Sequence, residues 1–386
     1  MSDLSTRILV VFVDALGPAQ FRRFGDELPF LTNVRTLRGI LGYSAGALPT
    51  ILTGAPPSVH GRMCLFSRQP SESDGILAPL SILGILPRFI HERDWIRRKA
   101  ASWLRNRIGI SGYLALHRVP PDAFRWLDIA EREDLFSAET IGHAQTFLAD
   151  ARAAGLSVFT ADWRLPEARR WREALKTIED FSPDLTFLYS TDLDGYLHKY
   201  GNAAASVDPV ISRIAAHIAR ARELLSRDSR RLVTIVVGDH GMADVTRKID
   251  PRPLAARLPL GQAIIDSTMW RFWGDDAGLS QARNILESSH IPGSWLDLRA
   301  LRTRAAPVMG APYGQALWLL PEGTIFGPSW LGDKARGMHG YDVGTQSSLA
   351  ALASDDVAIA NCRALTDVAS VIRKQLGIGL SRTVTT

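Results

Sequence analysis

The feature that most constrains this chain is a series of short, β-branched apolar runs separated by longer amphipathic stretches. The runs are "ILVVFV" (8–13), "LSVFTA" (156–161), "LTFLYS" (185–190), "LVTIVV" (232–237) and "ALWLL" (316–320). Runs without polar alternation predict strands covered on both faces. Helical patterns lie between them, and the clearest begins at Asp208, a residue type suited to an N-cap, with Pro209 at the first helical position. Ile211, Ile214, Ala215, Ile218, Ala221 and Leu225 then recur at the helical period, while Arg213, Arg220, Arg222 and Glu223 take much of the other side. Strands alternating with helices predict an α/β fold with a mostly parallel sheet.

Two stretches interrupt the alternation. Residues 62–135 are rich in Arg, Trp, Leu and Pro, and residues 250–312 are irregular around "DSTMWRFWGD". Both are expected to be insertions into one domain spanning 1–386, a length that one large domain can bury. The formal charge of +5 favours anionic partners weakly, and no aromatic-basic motif that reads nucleic acid accompanies it. Cys64 and Cys362 are the two cysteines, which excludes a Cys-rich metal module and argues against a disulfide framework. The N-terminal apolar run is too short for a signal peptide, and "GILAPLSILGILP" (75–87) is too short to span a bilayer. A cytoplasmic protein is expected. The oligomeric state is not legible.

Several strands end on acids. Asp14 follows the first run, Asp192 and Asp194 follow the third, and Asp239 follows the fourth. Any one of these fits a helix cap or a turn. Three strands delivering carboxylates to one sheet edge point instead to a ligand site, because open α/β sheets bind ligands beyond the carboxyl ends of their strands. Histidines sharpen the pattern. His198 stands four residues after Asp194, on the same face of a helical turn. His240 adjoins Asp239, and His339 sits between residues of "GMHGYD" whose glycines allow close backbone approach. His91, His117, His143 and His290 stand in ordinary polar contexts, and His217 belongs to the amphipathic helix. Imidazoles and carboxylates without thiolates suit Zn²⁺, with Mn²⁺ or Fe as alternatives. Ser44, among small residues in "GYSAGALPTILTGAPPSVHG", is the candidate nucleophile.

Five pieces carry a family resemblance in order: "VDALG", the run from Ser44 to "TGAPPSVHG", "DLDGYLHKYG", "VVGDHGM" and "GMHGYD". Together they resemble the alkaline phosphatase superfamily, on its nucleotide pyrophosphatase/phosphodiesterase branch. The resemblance implies a three-layer α/β/α sandwich with inserted cap segments and a centre of two divalent ions. It implies that Asp194, His198 and His339 hold one ion, and that Asp14, Asp239 and His240 hold the other with the Ser44 oxygen. Two ions about 4 Å apart clamp an in-line displacement at phosphorus and activate the attacking hydroxyl. The expected reaction is hydrolysis of phosphodiester or pyrophosphate bonds in a nucleotide-like or sugar- or lipid-linked substrate, through a phosphoseryl intermediate on Ser44. The alternatives are a phosphomonoesterase or phosphonate-ester hydrolase of the same superfamily and, outside the enzymes, an idle module that binds phosphorylated ligands.

The chain departs from that branch at Leu65, which stands where an asparagine usually contacts a phosphate oxygen. Arg62, Ser67 and Arg68 are the nearby candidates to replace it, and Arg62 and Arg68 are the expected substrate contacts because arginine grips phosphate bidentately. "CLFSR" (64–68) resembles the sulfatase signature only faintly, since it lacks that signature's proline and follows the "TG…HG" segment.

Residues 76–118 combine an apolar stretch with "HERDWIRRKAASWLRNRIG". Trp95, Ile96, Trp103 and Leu104 are expected on one side of a helix, with Arg97, Arg98, Lys99 and Arg105 elsewhere. Three roles are open to the segment: a cap over the active site, recognition of an anionic substrate tail, or peripheral contact with an anionic membrane.

Overall fold

The computed structural model describes residues 6–69, 77–85, 93–108, 116–130, 133–203, 205–259, 261–332 and 334–379. Parts of the 76–118 segment, His91, and the side chains of Leu104 and Arg105 lie outside the described residues.

A six-stranded sheet forms the centre. Its strands are β1 Thr6–Val13, β2 Asn33–Leu37, β3 Val158–Thr160, β4 Leu185–Ser190, β5 Arg231–Val237 and β6 Ala350–Ser354. Their order is β2-β6-β5-β1-β4-β3. β1 runs parallel to β4 and β5, and β3 runs parallel to β4, while β6 is antiparallel to β5 and β2. Four of the five predicted strands are therefore in this sheet. β2 and β6 carry no long β-branched run: β2 is a polar edge strand (NVRTL), and β6 (AALAS) is built of small residues held by neighbours on both sides.

Helices cover both faces. They include α1 Ser44–Thr53, α2 Glu167–Phe181, α3 Asp192–Tyr200, α4 Asp208–Leu225 and α5 Val368–Gln375. Successive residues of β1 point to opposite layers. Leu9, Val11 and Val13 pack with Trp171, Ile178, Leu193, Leu197, Ile214 and Ile218. Ile8, Val10 and Phe12 pack with Leu48, Ile51, Phe147, Val368 and Ile372. Each such side chain contributes ~1.5–3 kcal/mol by leaving water, and the two clusters fix β1 at the middle of an α/β/α sandwich. The predicted apolar face of α4 is buried throughout, and His217 lies half-buried against the Trp171 ring. Asp208 is itself the first residue of α4, following a short 3-10 turn at Ala205–Val207, and pairs with Arg23 rather than preceding the helix as a cap.

The fifth predicted strand lies elsewhere. Ala316–Leu319 belongs to a four-stranded antiparallel sheet with Gln262–Ile265, Met269–Trp273 and Ser294–Asp297. Apolarity reports that a strand is buried, not which sheet buries it. Here Leu317 and Leu319 face a cluster with Met269, Leu296 and Tyr313, while Trp318 faces Trp270, Phe272 and Phe326. The stretch 250–312, expected to be irregular, thus supplies three strands of an ordered sheet.

Helix Asp94–Ile108 also corrects an expectation. Ile96 and Ala100 pack on an apolar platform that includes Leu65, Phe66, Leu116 and Phe124, but Trp95 and Trp103 are exposed. Ile96 is thus held against the platform while both indoles reach solvent, although Trp103, two turns on, lies near the side of Ile96. Among the described residues no helix is long and apolar enough to cross a membrane.

Candidate active site

The carboxyl edge of the central sheet gathers the predicted ligands. Asp14 directly follows β1, and its N–H donates to Ser190 O at 2.9 Å, at the end of β4. Ala15, next in the chain, has a φ of 62°, a left-handed conformation that is uncommon for a non-glycine residue. Its N–H donates to Asp239 Oδ1 at 3.1 Å, so the turn after β1 grips the turn after β5. Gly238 is needed at that grip, because a Cβ there would meet Leu16 O at 2.1 Å.

Ser44 begins α1, and Tyr43 is the residue ahead of it. Ser44 Oγ lies 3.0 Å from His240 Nε2 and 3.3 Å from Asp14 Oδ1. Tyr43 O accepts the N–H groups of Gly46 and Ala47 at 2.8 and 3.1 Å. The N–H groups of Ser44 and Ala45 have no backbone acceptor there, as expected at a helix N-terminus. The first turn of α1 therefore presents a hydroxyl and a partial positive charge together.

The imidazoles are oriented by backbone carbonyls. His240 Nδ1–H donates to Gly241 O at 2.8 Å, and His198 Nδ1–H donates to Gly337 O at 2.8 Å. A carbonyl only accepts, so in the neutral rings Nε2 carries the lone pair. His240 Nε2 is 3.1 Å from Asp239 Oδ2 and 3.5 Å from Asp14 Oδ1. His198 Nε2 is 3.2 Å from Asp194 Oδ1, within α3, as the four-residue spacing predicts. His339 Nε2 is 3.8 Å from the same oxygen, and its ring stacks on His240 with centroids 3.5 Å apart. His339 is backed by Tyr43, whose OH donates to Thr268 Oγ1 at 2.8 Å; Thr268 in turn donates to Gly340 O at 2.6 Å. A Cβ on Gly340 would sit 2.5 Å from the Tyr43 ring, which is why glycine follows His339.

This crowding of acceptors is costly without a cation. Asp194 Oδ1, Asp239 Oδ2 and His339 Nδ1 are buried and make no hydrogen bond. Burial opposes charge on His198 and His240, yet Asp194 and Asp239 respectively raise their pKa values. Burial would raise the Asp194 carboxyl, but His198 first, then His339 and His240, hold it far below the ordinary range. His339 is pushed well down by burial and by His240 beside it. Two groups of donor atoms lie close enough to hold an ion: Asp194, His198 and His339; and Asp14, Asp194 and His240. The donor set is carboxylate and imidazole, as a divalent ion such as Zn²⁺ accepts, so the residues present fit the metal centre.

Not every predicted residue joins this cluster. Asp192 turns to Arg213 at 2.6 Å instead. Arg62 pairs with Glu133 at 2.6 Å, and Arg68 stands on a short strand, Phe66–Arg68, paired with Leu127–Ile129. Neither arginine, nor Ser67, lines the cleft beside Ser44. Leu65 is buried in the apolar platform under helix Asp94–Ile108. Cys64 is buried, and burial drives its thiol pKa up, so it has no nucleophilic character.

The cleft itself has a volume of about 760 Å³ and exposes Asp14, Ser44 and Asp194 on one wall. Trp163, Tyr189, Tyr196 and Tyr200 line it with Arg164 and Lys199. Motif reading also passes over Glu167, at the start of α2. Its carboxylate accepts the N–H groups of Thr191 and Asp192 at 2.7 and 2.8 Å, the Thr191 hydroxyl at 3.2 Å, and the Ser190 hydroxyl. α3 has no side-chain cap of its own, so Glu167 caps from another helix the element that delivers Asp194 and His198. The only sequence signal for this is its place after Pro166, where an acid suits a first helical turn.

Comparison with known proteins agrees with this geometry. The family described as type I phosphodiesterase / nucleotide pyrophosphatase matches residues 97–277, a span that includes Asp194, His198, Asp239 and His240. No curated protein matches by sequence. Murine ectonucleotide pyrophosphatase/phosphodiesterase 5 is a similar solved structure, with a TM-score of 0.68 at 14% identity over 98% of this chain and 97% of that one. The human protein of the same name gives 0.67 at 14% identity over the same shares. An inactive threonine-to-alanine variant of the murine protein, in complex with AMP, gives 0.66 at 15% identity over 99% of this chain and 97% of that one. At such identity the structures show a common fold, and the family match adds the chemistry. Over residues 97–277 the chain is similar to the type I phosphodiesterase / nucleotide pyrophosphatase family, and it shares its fold with the ectonucleotide pyrophosphatase/phosphodiesterase structures, in keeping with the ordered motifs and with hydrolysis of a phosphoester.

Proposed function

We propose that this chain hydrolyses phosphodiester or pyrophosphate bonds through a phosphoseryl intermediate on Ser44, with two divalent cations, Zn²⁺ by donor chemistry, as cofactors. The observation that carries the proposal is the position of Ser44, whose hydroxyl points between His240 Nε2 and Asp14 Oδ1 at the wall of the cleft. Asp194, His198 and His339 would hold one cation; Asp14, Asp239, His240 and the Ser44 oxygen would hold the other. When bound, the cations neutralise phosphate oxygens and lower the pKa of the serine hydroxyl. Ser44 Oγ attacks phosphorus, the ester or anhydride oxygen leaves, and water later breaks the bond between phosphorus and Ser44. The N–H groups of Ser44 and Ala45 suit a phosphate oxygen in place of the missing amide at position 65.

The aromatic residues and cations of the cleft support a substrate with a flat or apolar group attached to phosphate. The AMP complex of the murine relative makes nucleotide esters the first class to test; sugar- and lipid-linked esters come next. Ser44→Ala is expected to abolish turnover of bis(p-nitrophenyl) phosphate while retaining bound metal, and EDTA is expected to inactivate the wild type. Turnover surviving in Ser44→Ala would overturn the nucleophile. The alternative is phosphomonoester or phosphonate-ester hydrolysis, favoured by Leu65 having no amide to offer. A strong preference for p-nitrophenyl phosphate over the diester would select it. Inactivity on every ester with both metals bound would select the idle binding module. The proposal treats the chain as one domain acting in the cytoplasm, which cell fractionation checks.

A further inference from the structure

Helix Asp94–Ile108 carries a face that the proposed reaction does not use. Trp95, Arg98, Lys99, Ser102 and Trp103 are all exposed, and their spacing places them together on one side. Trp95 and Trp103 are each 56% exposed, whereas the other eight tryptophans of the chain are buried or half-buried. Lys99 Nζ lies 5.5 Å from the centre of the Trp95 ring, between the two indoles. The adjoining side is committed: Ile96 and Ala100 pack on the apolar platform, and Arg97 donates to Val119 O. Ile96 and Ala100 hold the helix to the protein, and both indoles still present more than half of their surface to solvent.

We propose that this face docks on an anionic lipid surface. The charge pattern argues for the occupant. Residues 93–108 contain five arginines and one lysine against one aspartate, Asp94. Tryptophan prefers the headgroup level of a bilayer, where its ring meets acyl carbon and its N–H meets water. Cations beside it are attracted to anionic headgroups. A single-stranded nucleic acid fits less well. The two indoles stand roughly 12 Å apart along the helix, with no aromatic between them, so they form no continuous stacking platform. Contact is shallow, made by two rings and the cations between them, so it is reversible and sensitive to salt.

The test is flotation of the full chain with vesicles of phosphatidylcholine, with and without phosphatidylserine, at low and high salt. The wild type is expected to float with the anionic vesicles at low salt only. Arg98→Glu with Lys99→Glu is expected to weaken binding by more than the roughly fivefold per cation that neutral replacement would give. Trp95→Ser with Trp103→Ser is expected to lose flotation while keeping the charge. Both variants should keep the wild-type melting temperature and the wild-type rate on a soluble ester, since neither touches the cleft. No flotation of the wild type at low salt overturns the proposal, as does flotation of both variants at the wild-type level. Binding of single-stranded DNA, or self-association, that disappears in these variants without any vesicle binding overturns it in favour of those partners.

Discussion

Two buried polar clusters in this protein are built on opposite principles. In the antiparallel sheet, Arg271 and Asp266 are both 0% exposed. Arg271 meets Asp266 at 2.6 and 3.3 Å through two nitrogens, and a third donates to Phe66 O at 2.9 Å. Each charge has its counter-charge, and the pair holds the second sheet to the strand after Leu65. At the carboxyl edge of the central sheet, acidic oxygens and imidazole nitrogens converge instead, and three buried atoms among them lack partners. A cluster that satisfies itself is structural. A cluster that leaves buried acceptors open, at a cleft, is waiting for a ligand.

Substitutions in each cluster sharpen this contrast. Asp239→Asn is expected to have the largest effect, lowering kcat/KM by more than the ~10–100-fold typical of outer-shell changes at metal sites. Metal analysis should find less metal bound per chain, and full metal content with full activity would break the contrast. Arg271→Met leaves Asp266 buried and unpaired, and should cost ~3–5 kcal/mol in denaturant unfolding. That loss should be the same with and without EDTA, whereas the wild type should lose thermal stability on chelation. Glu167→Gln replaces one acceptor oxygen by an amide donor facing the N–H groups of α3. Metal affinity is expected to fall ~10–100-fold, measured by competition with a chromophoric chelator, while Glu167→Asp recovers part of it.

The last effect concerns the pH dependence set by His60 and is absent at neutral pH, showing only as the pH falls. Its Nε2–H donates to Thr50 Oγ1 at 2.9 Å, which donates to Gly46 O at 2.9 Å, bracing the helix that begins at Ser44. Burial, and then Arg62, lower its pKa from 6.5 to about 3. The unfolded chain takes up this proton first as the pH falls, so the contribution is present above pH 6.5 and is lost from there down towards about 3. The slope in that window is ~1.4 kcal/mol per pH unit. His60→Gln should flatten that part of the stability profile; an unchanged profile would show that His60 titrates normally.

Much of this was legible before any coordinates. The four strands with continuous apolar runs, the period of α4, and the pairing of Asp194 with His198 all follow from spacings of two to four residues, which local geometry converts directly into faces. β2 and β6 were illegible because their residues are polar or small and only their neighbours make them strands. Arg62 and Arg68 looked like phosphate ligands by type, yet the fold sets Arg62 against Glu133 and Arg68 on a paired strand away from Ser44.

The amino-acid sequence alone determined the chemistry available: a hydroxyl, carboxylates and imidazoles at the ends of apolar strands, in an order that resembles one superfamily. Tertiary structure decided which of them meet. It turned Asp192 to Arg213 and left Asp194 to the histidines, sent the last apolar run to a second sheet, and closed Leu65 under a helix whose tryptophans face outward. The reason is one of range. Periodicity along a chain specifies which side of an element is apolar, but which distant partner covers it depends on crossovers and packing that no local spacing records.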